Sequence, residues 1–260
     1  MLIIDSHSHI YLEQFRDDLH DVIVRAKEVG VEQILLPNID HITIPSLLSV
    51  CHEYQGVCFP MMGLHPTSVD DNYLDKLNIV KRELQEHKEQ FIAIGEIGID
   101  LYWSSEFKEE QIKVLREQLS WAISYDLPVV IHCRDAFNEV FSVLDEFSKY
   151  NIKGVFHSFT GTKEELYKSL SYKNFYIGIN GIVTFKNSSL SQLIPLIPVD
   201  RLLLETDSPY LSPTPKRGLR NESSFLVYTL AELARIYGVS QEELAEITIK
   251  NTKRLFGKLK

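Results

Sequence analysis

A single α/β domain built as a (β/α)8 TIM barrel is the fold this sequence predicts, on three observations. Short apolar runs alternate with longer helical patterns from one end of the chain to the other. Each run is mostly apolar rather than alternating, as parallel strands covered on both faces require. Eight strand–helix units in 260 residues match the usual size of such a barrel. The competing fold, a doubly wound open sheet, would carry a Gly-rich phosphate loop after its first strand. Here the first strand leads to His7-Ser-His9 instead.

Taken in order, the strands are expected at residues 2–5, 33–36, 57–63, 91–95, 129–132, 154–157, 175–178 and 201–205. Between the fourth and fifth, residues 106–126 read as a helix. Phe107, Ile112, Leu115, Leu119, Ala122 and Ile123 recur there at spacings of three to five, which puts them on one side. Thr162 with Glu165, and Ser240 with Glu243, have the form of capping boxes at helix starts. Gly30 and Gly238 stand where helices should end. No linker rich in Gly, Ser or Pro divides the chain, so one domain is expected over residues 1–260.

Composition narrows the function classes. With 44% hydrophobic and 24% charged residues, the chain is neither disordered nor low in complexity. Its apolar runs are too short to span a membrane, and no charged-then-apolar signal segment opens it. Cys51, Cys58 and Cys133 are too few and too scattered for a disulfide framework. They read as small core hydrophobes in a reducing cytoplasm. The 27 basic against 36 acidic residues give a net charge of −9. That balance argues against a basic face gripping long nucleic acid, but it allows an enzyme that handles a strand end at one positive pocket. No dimerisation stripe is evident, so a monomer is expected.

Chemistry-bearing residues gather at the strand ends. His7 and His9 flank one residue just after the first strand, and positions i and i+2 of an extended chain point the same way. Two imidazoles on one face can grip a metal. The fourth predicted strand ends at Glu96, the fifth at His132, the sixth at His157 and the eighth at Asp207. Each is metal-capable, and each lies at the C-terminal rim where barrel enzymes build their sites. Any one of them has a structural explanation, such as a histidine satisfied by a carbonyl or a carboxylate capping a helix. All of them on one rim point to a metal centre of several histidines and carboxylates.

The ordered motifs cover essentially the whole chain. They are Asp5-Ser-His-Ser-His9, Gly63-Leu-His-Pro66, Gly95-Glu-Ile-Gly-Ile-Asp100, Pro128-Val-Val-Ile-His-Cys-Arg134, His157-Ser-Phe-Thr-Gly161, Glu205-Thr-Asp-Ser-Pro-Tyr210 and Arg217-Gly-Leu-Arg-Asn-Glu222. Together they resemble the TatD family of metal-dependent deoxyribonucleases, within the amidohydrolase-like barrels. The resemblance implies that His7, His9 and Asp207 hold one divalent ion and that His132 and His157 hold a second. It further implies that Glu96 bridges the two ions and that His65 faces the substrate phosphate. It implies magnesium-supported cleavage of DNA, whereas the ligands alone favour zinc or manganese. Ile99 and Ser223 depart from the family's usual Leu and Pro, and neither is a proposed ligand.

On this reading two divalent ions bring +4, and Glu96 with Asp207 return −2. A surplus of about +2 would draw a phosphate to the pocket. Asp207 would take a proton from the attacking water, and His65 would steady the charge that builds on the phosphoryl group. Arg134, Arg217 and Arg220 are candidate phosphate clamps. Trp103, Phe159 and Tyr210 are candidate stacking surfaces for a terminal base. Glu205 is a candidate hydrogen-bond partner of a ligand. His20, His41, His52 and His87 receive no role. The expected function is an exonuclease acting on single-stranded DNA ends, with no membrane and no obligate protein partner. The alternative is a metal-dependent esterase or deacylase on the same barrel, for example of aminoacyl-tRNA. A non-catalytic binding protein would need lost ligands, and all six are present.

Overall fold

The computed structural model describes residues 1–259. Eight parallel strands run through it: β1 (Ile3–Asp5), β2 (Val31–Pro37), β3 (Cys58–Met61), β4 (Ile94–Asp100), β5 (Val129–Arg134), β6 (Gly154–Phe156), β7 (Phe175–Ile179) and β8 (Leu202–Leu204). They pair as two arcs, β1–β2–β3 and β4 through β8 in sequence order. The arcs meet at both seams through parallel bridges, Met62 with Ile94 and Ser8 with Ser208. Backbone bonds reinforce them, Met62 to Ala93 at 3.1 Å and Ser6 to Leu204 at 3.0 Å. The sheet therefore wraps into the expected barrel architecture.

The helices α1 (Leu19–Glu28), α2 (Ile44–Glu53), α3 (Tyr73–Glu86), α4 (Lys108–Tyr125), α5 (Phe137–Glu146) and α6 (Lys163–Ser171) alternate with the strands. After β7 come only short turns and α7 (Leu190–Leu193). The chain closes with α8 (Leu226–Tyr237) and α9 (Gln241–Leu255). At the start of α6 the Thr162–Glu165 box forms in both directions. Ser240 accepts the Glu243 N–H to start α9. Gly238 ends α8 in the left-handed region at φ 68°, a conformation that costs a side-chain-bearing residue energy.

Inside the barrel, Ile4, Leu35, Met61, Ala93, Val130, Val155, Tyr176 and Leu203 form one buried cluster, drawn from every strand or its leading residue. Leu255, Phe256 and Leu259 close that cluster. The C-terminal segment thus plugs the barrel, and the opposite rim is left for polar groups.

Two expectations need correction. β4 does not stop at Gly95. It runs on to Asp100, so Glu96 lies within the strand and Asp100 occupies its end. The polar residues Glu96 and Asp100 and two glycines interrupt the apolar pattern that marks a strand. The inner face of α4 also differs from the apolar stripe. Phe107, Ile112 and Ile123 are only half-buried, whereas Gln111 and Gln118 are buried beside Val114, Leu115 and Leu119. Each glutamine grips one residue's backbone with both ends of its amide. Gln111 holds Asp100 through bonds of 2.9 and 3.2 Å, and Gln118 holds Leu64 through bonds of 2.7 and 3.1 Å.

An ionic clamp ties α1 to the segment after β8. Arg25 makes two bonds to Glu222, at 2.8 and 2.7 Å, and Arg220 makes two to Asp18, at 2.8 and 2.6 Å. Burial opposes ionisation of Glu222, yet Arg25 and Ser224 hold its carboxyl below the usual range. Arg220 does the same for Asp18. A depressed folded-state pKa stabilises above the unfolded value, and the contribution is lost as pH falls through the folded one. Arg25 is 41% exposed, so screening limits its pair to about 1 kcal/mol or less. Arg25→Met is accordingly expected to flatten the loss of stability below about pH 4.5, as measured by urea unfolding at pH 7 and pH 4. An unchanged slope would show that the clamp carries no such term.

Candidate metal centre

The segments after β1 and β8 interlock at one seam. His9 N donates to Ser208 O at 2.7 Å, Asp207 N to His7 O at 2.9 Å, and the Ser8 and Ser208 hydroxyls share a 2.6 Å bond. Beneath them the buried Asp5 carboxylate accepts from Thr206 N at 2.9 Å, Thr206 Oγ1 at 2.7 Å and Ser223 Oγ at 2.7 Å. Asp207 itself sits at φ 59°, in the left-handed region that Asp tolerates better than most residues. That turn aims its carboxylate back over the barrel mouth.

Glu96 is the hub. Its carboxylate oxygens lie 3.2 Å from His7 Nε2, 3.5 Å from His9 Nε2, 3.3 Å from His65 Nε2, 2.9 Å from His132 Nδ1 and 3.4 Å from His157 Nε2. Asp207 Oδ1 is 3.8 Å from His7 Nε2, 3.7 Å from His9 Nε2 and 3.9 Å from His157 Nε2. The Nε2 atoms of His7 and His9 face each other at 3.1 Å. Ligands about 2.1 Å from one ion stand roughly 3.0–3.6 Å apart in tetrahedral geometry. The His7, His9 and Asp207 atoms approach that spacing, so this donor set fits a divalent ion. Two further groups also have metal-binding spacing: His65 with Glu96 and His132, and His7 with His157 and Glu205.

Local partners decide which nitrogen faces the centre. Tyr11 Oη donates to the Pro37 carbonyl at 2.5 Å, so it accepts from His9 Nδ1 at 3.0 Å and leaves Nε2 turned inward. Asp100 takes His132 Nε2–H at 2.8 Å, which leaves Nδ1 toward Glu96. Glu205 lies 3.1 Å from His157 Nδ1, and again Nε2 faces inward. His65 is the exception. Its Nδ1 accepts from Thr67 N at 3.2 Å, so in the neutral ring Nε2 carries the proton and acts as a donor. By this argument His65 suits an anion better than a cation, despite its place in a metal-spaced group. Burial keeps that ring neutral by lowering its pKa.

The electrostatics show how strongly the cluster attracts positive charge. Burial opposes the charge on Glu96, but His65, His7 and His157 hold its carboxyl well below the usual range. Burial pushes Asp207 up to about 6. Burial also works against a proton on His157, yet Glu205, Glu96 and Asp207 raise it to about 10. Burial dominates at His7, whose pKa falls well below the ordinary value.

Asp100 and Tyr11 escaped sequence reasoning as site residues, although Asp100 closes a quoted motif. Partners on the outer nitrogen of a ligating histidine typically matter 10- to 100-fold to metal affinity. Asp100→Asn is expected to weaken divalent-metal binding by about 10-fold or more, measured by competition with a chromogenic chelator. Affinity equal to the wild type would remove Asp100 from this role.

The centre lines a cavity of about 610 Å³ together with Trp103, Arg134, Ser158, Tyr210 and others. The proposed ligands His9, Glu96, His132, His157 and Asp207 face it, as does His65, and His7 lies buried just behind. Arg134 faces it too. Arg220 does not: its guanidinium is held by Asp18 and the Gln14 carbonyl and lies over Phe15. Arg217 stacks on Phe185 at 3.7 Å, outside the cavity lining. Phe159 is buried against Phe137 and offers no free face. Trp103 and Tyr210 are exposed at the mouth.

Comparison with known proteins gives a consistent picture. The family described as TatD related DNase matches residues 4–257. A metal-dependent hydrolase, YabD of Bacillus subtilis, is 39% identical over 98% of this chain and 99% of its own. A 3'-5' ssDNA/RNA exonuclease TatD of Erwinia tasmaniensis is 35% identical over 94% of this chain and 95% of its own. Among solved structures, the TatD homologue YjjV of Escherichia coli superposes with a TM-score of 0.91 at 28% identity, covering 98% of both chains. A TatD family hydrolase of Entamoeba histolytica shares the fold at a TM-score of 0.88 and 23% identity.

Proposed function

Since the chain belongs to the TatD family of metal-dependent hydrolases, we propose that it cleaves phosphodiester bonds at the ends of single-stranded DNA. The observation that carries this reading is the convergence of five imidazoles on Glu96, with one of them, His65, presenting N–H rather than a lone pair. His7, His9 and Asp207, whose donor atoms have metal-binding spacing, would hold one divalent ion, and His132, His157 and Glu96 would hold a second. Magnesium, manganese and zinc are all compatible with mixed imidazole and carboxylate donors. When bound, such ions supply Lewis acidity and a water of lowered pKa.

The chain's own groups do the rest. Asp207 lines the cavity beside His9 and His157 and is placed to accept or orient a proton of the attacking water. His65 Nε2–H donates to a non-bridging phosphoryl oxygen as charge builds there. Tyr11 and Asp100 keep His9 and His132 turned inward, and Glu205 places its charge beside the outer nitrogen of His157. The structure also revises the charge count. Asp100 and Glu205 join Glu96 and Asp207, so four carboxylates give −4 against +4 from two ions. The surplus of about +2 disappears, and Arg134 becomes the uncompensated positive group of the cavity. The tyrosine, arginine and tryptophan at its mouth favour a nucleotide over a simple ester. The net charge of −9 supports action at ends rather than along a duplex.

The whole chain is read as one catalytic domain acting as a monomer. The free cysteines support a cytoplasmic setting. Among the described residues no helix is long and apolar enough to cross a membrane. The test is direct. Metal-loaded protein should shorten labelled single-stranded oligonucleotides to a ladder, chelation should abolish the ladder, and added Mn²⁺ should restore it. Intact oligonucleotides beside rapid cleavage of carboxylic esters would favour the deacylase reading instead.

A further inference from the structure

We propose that Tyr102, Trp103 and Arg134 form a nucleotide step at the cavity mouth. Trp103 takes the face of an unpaired base, and Arg134 takes the phosphate beside it. This rests on the phosphodiesterase reading above and names how the strand is recognised.

Tyr102 and Trp103 follow β4 directly, with rings 5.0 Å apart and nearly perpendicular. Trp103 is 72% exposed and lines the cavity, so one broad aromatic face is open to solvent beside the catalytic groups. Single exposed apolar residues are ordinary on protein surfaces. An exposed indole on the wall of a cavity, with the half-exposed Tyr210 also lining it, is a surface on which a planar ligand can stack.

Arg134 supplies the second part. Its guanidinium lies 3.6 Å from the Tyr102 ring centre and 5.5 Å from that of Trp103. Among the described residues it forms no ion pair, whereas Arg16, Arg25, Arg116, Arg220 and Arg235 are each paired with a carboxylate. Stacking occupies the flat face of a guanidinium and leaves its edge N–H groups free for a phosphate. With four carboxylates around the ions, this is the charge that remains to hold a phosphate.

The step is also fixed in position. Leu101 N bonds to Arg134 O at 3.0 Å, and Tyr102 N bonds to Asp100 Oδ1 at 3.1 Å. Asp100 in turn orients His132. The backbone that carries Trp103 is therefore anchored beside the groups around His132. An unpaired base gives up no pairing or neighbouring stack to reach that face, so the step favours single strands.

The experiment is a cycle crossing Trp103→Ala with oligonucleotides that carry an abasic residue at either nucleotide flanking the scissile bond. Trp103→Ala should raise KM for the intact single strand about 10- to 100-fold, change kcat much less, and be largely rescued by Trp103→Phe. Wild-type protein should lose a similar factor on one abasic substrate, and the two losses should not add. Arg134→Met should raise KM on intact and abasic strands alike. Fully additive losses, or wild-type kinetics in Trp103→Ala, would overturn the step while leaving the nuclease reading intact. Failure of the wild type to cut any oligonucleotide would remove both.

Discussion

Replacing Glu96 by glutamine is expected to lower kcat/KM at least about 100-fold, since losses of that size follow even from changing residues that only support a ligand. The substitution keeps shape and removes charge. Five imidazole nitrogens lie within 3.5 Å of the Glu96 carboxylate, whereas Asp207 approaches three of them and none closer than 3.7 Å. Metal content, measured by elemental analysis after dialysis, should fall with activity, while the urea midpoint confirms that the variant is folded. A folded variant with full metal content and near-normal turnover would dissolve the central claim about this site.

The second large effect is structural. Gly98 pairs with His132 between β4 and β5, and its φ is 148°. A Cβ placed there would lie 1.8 Å from the His132 carbonyl oxygen and 2.8 Å from its carbonyl carbon. These are backbone atoms, which cannot rotate away. Gly98→Ala must therefore push the two strands apart, or twist β4, exactly between Glu96 and Asp100. We expect a loss of about 3 kcal/mol or more in urea unfolding, or failure to accumulate soluble protein. Any soluble fraction should bind metal poorly, because His132 and its two carboxylate partners ride on those strands. Wild-type stability in Gly98→Ala would show that the strands tolerate separation there.

The barrel, and the gathering of histidines and carboxylates at its rim, are legible in the sequence because both rest on short-range rules. Apolar runs mark strands, and a strand end fixes where its next side chain points. What escapes depends on contacts between distant residues. Arg220 carries the same charge as Arg134, but Asp18, 202 positions away, claims it. The far end of β4 escapes because Glu96, Gly98 and Asp100 break the apolar signal where the strand reaches the rim. Phe159 stands two residues after His157 yet turns into the core. The polarity of His65 depends on Thr67, a neighbour whose N–H could have been suspected from His65-Pro-Thr67 but whose geometry could not.

The two glutamines of α4 have a mechanical consequence. Seven residues apart, they sit two turns and about 10 Å from one another on a single rod. One holds the peptide next to His65 and the other the peptide of Asp100. His65 and the carboxylate behind His132 are thus pegged to the same ruler. A tilt of that rod would shift both together, so loosening the outer surface of this helix should detune two distant corners of the pocket at once.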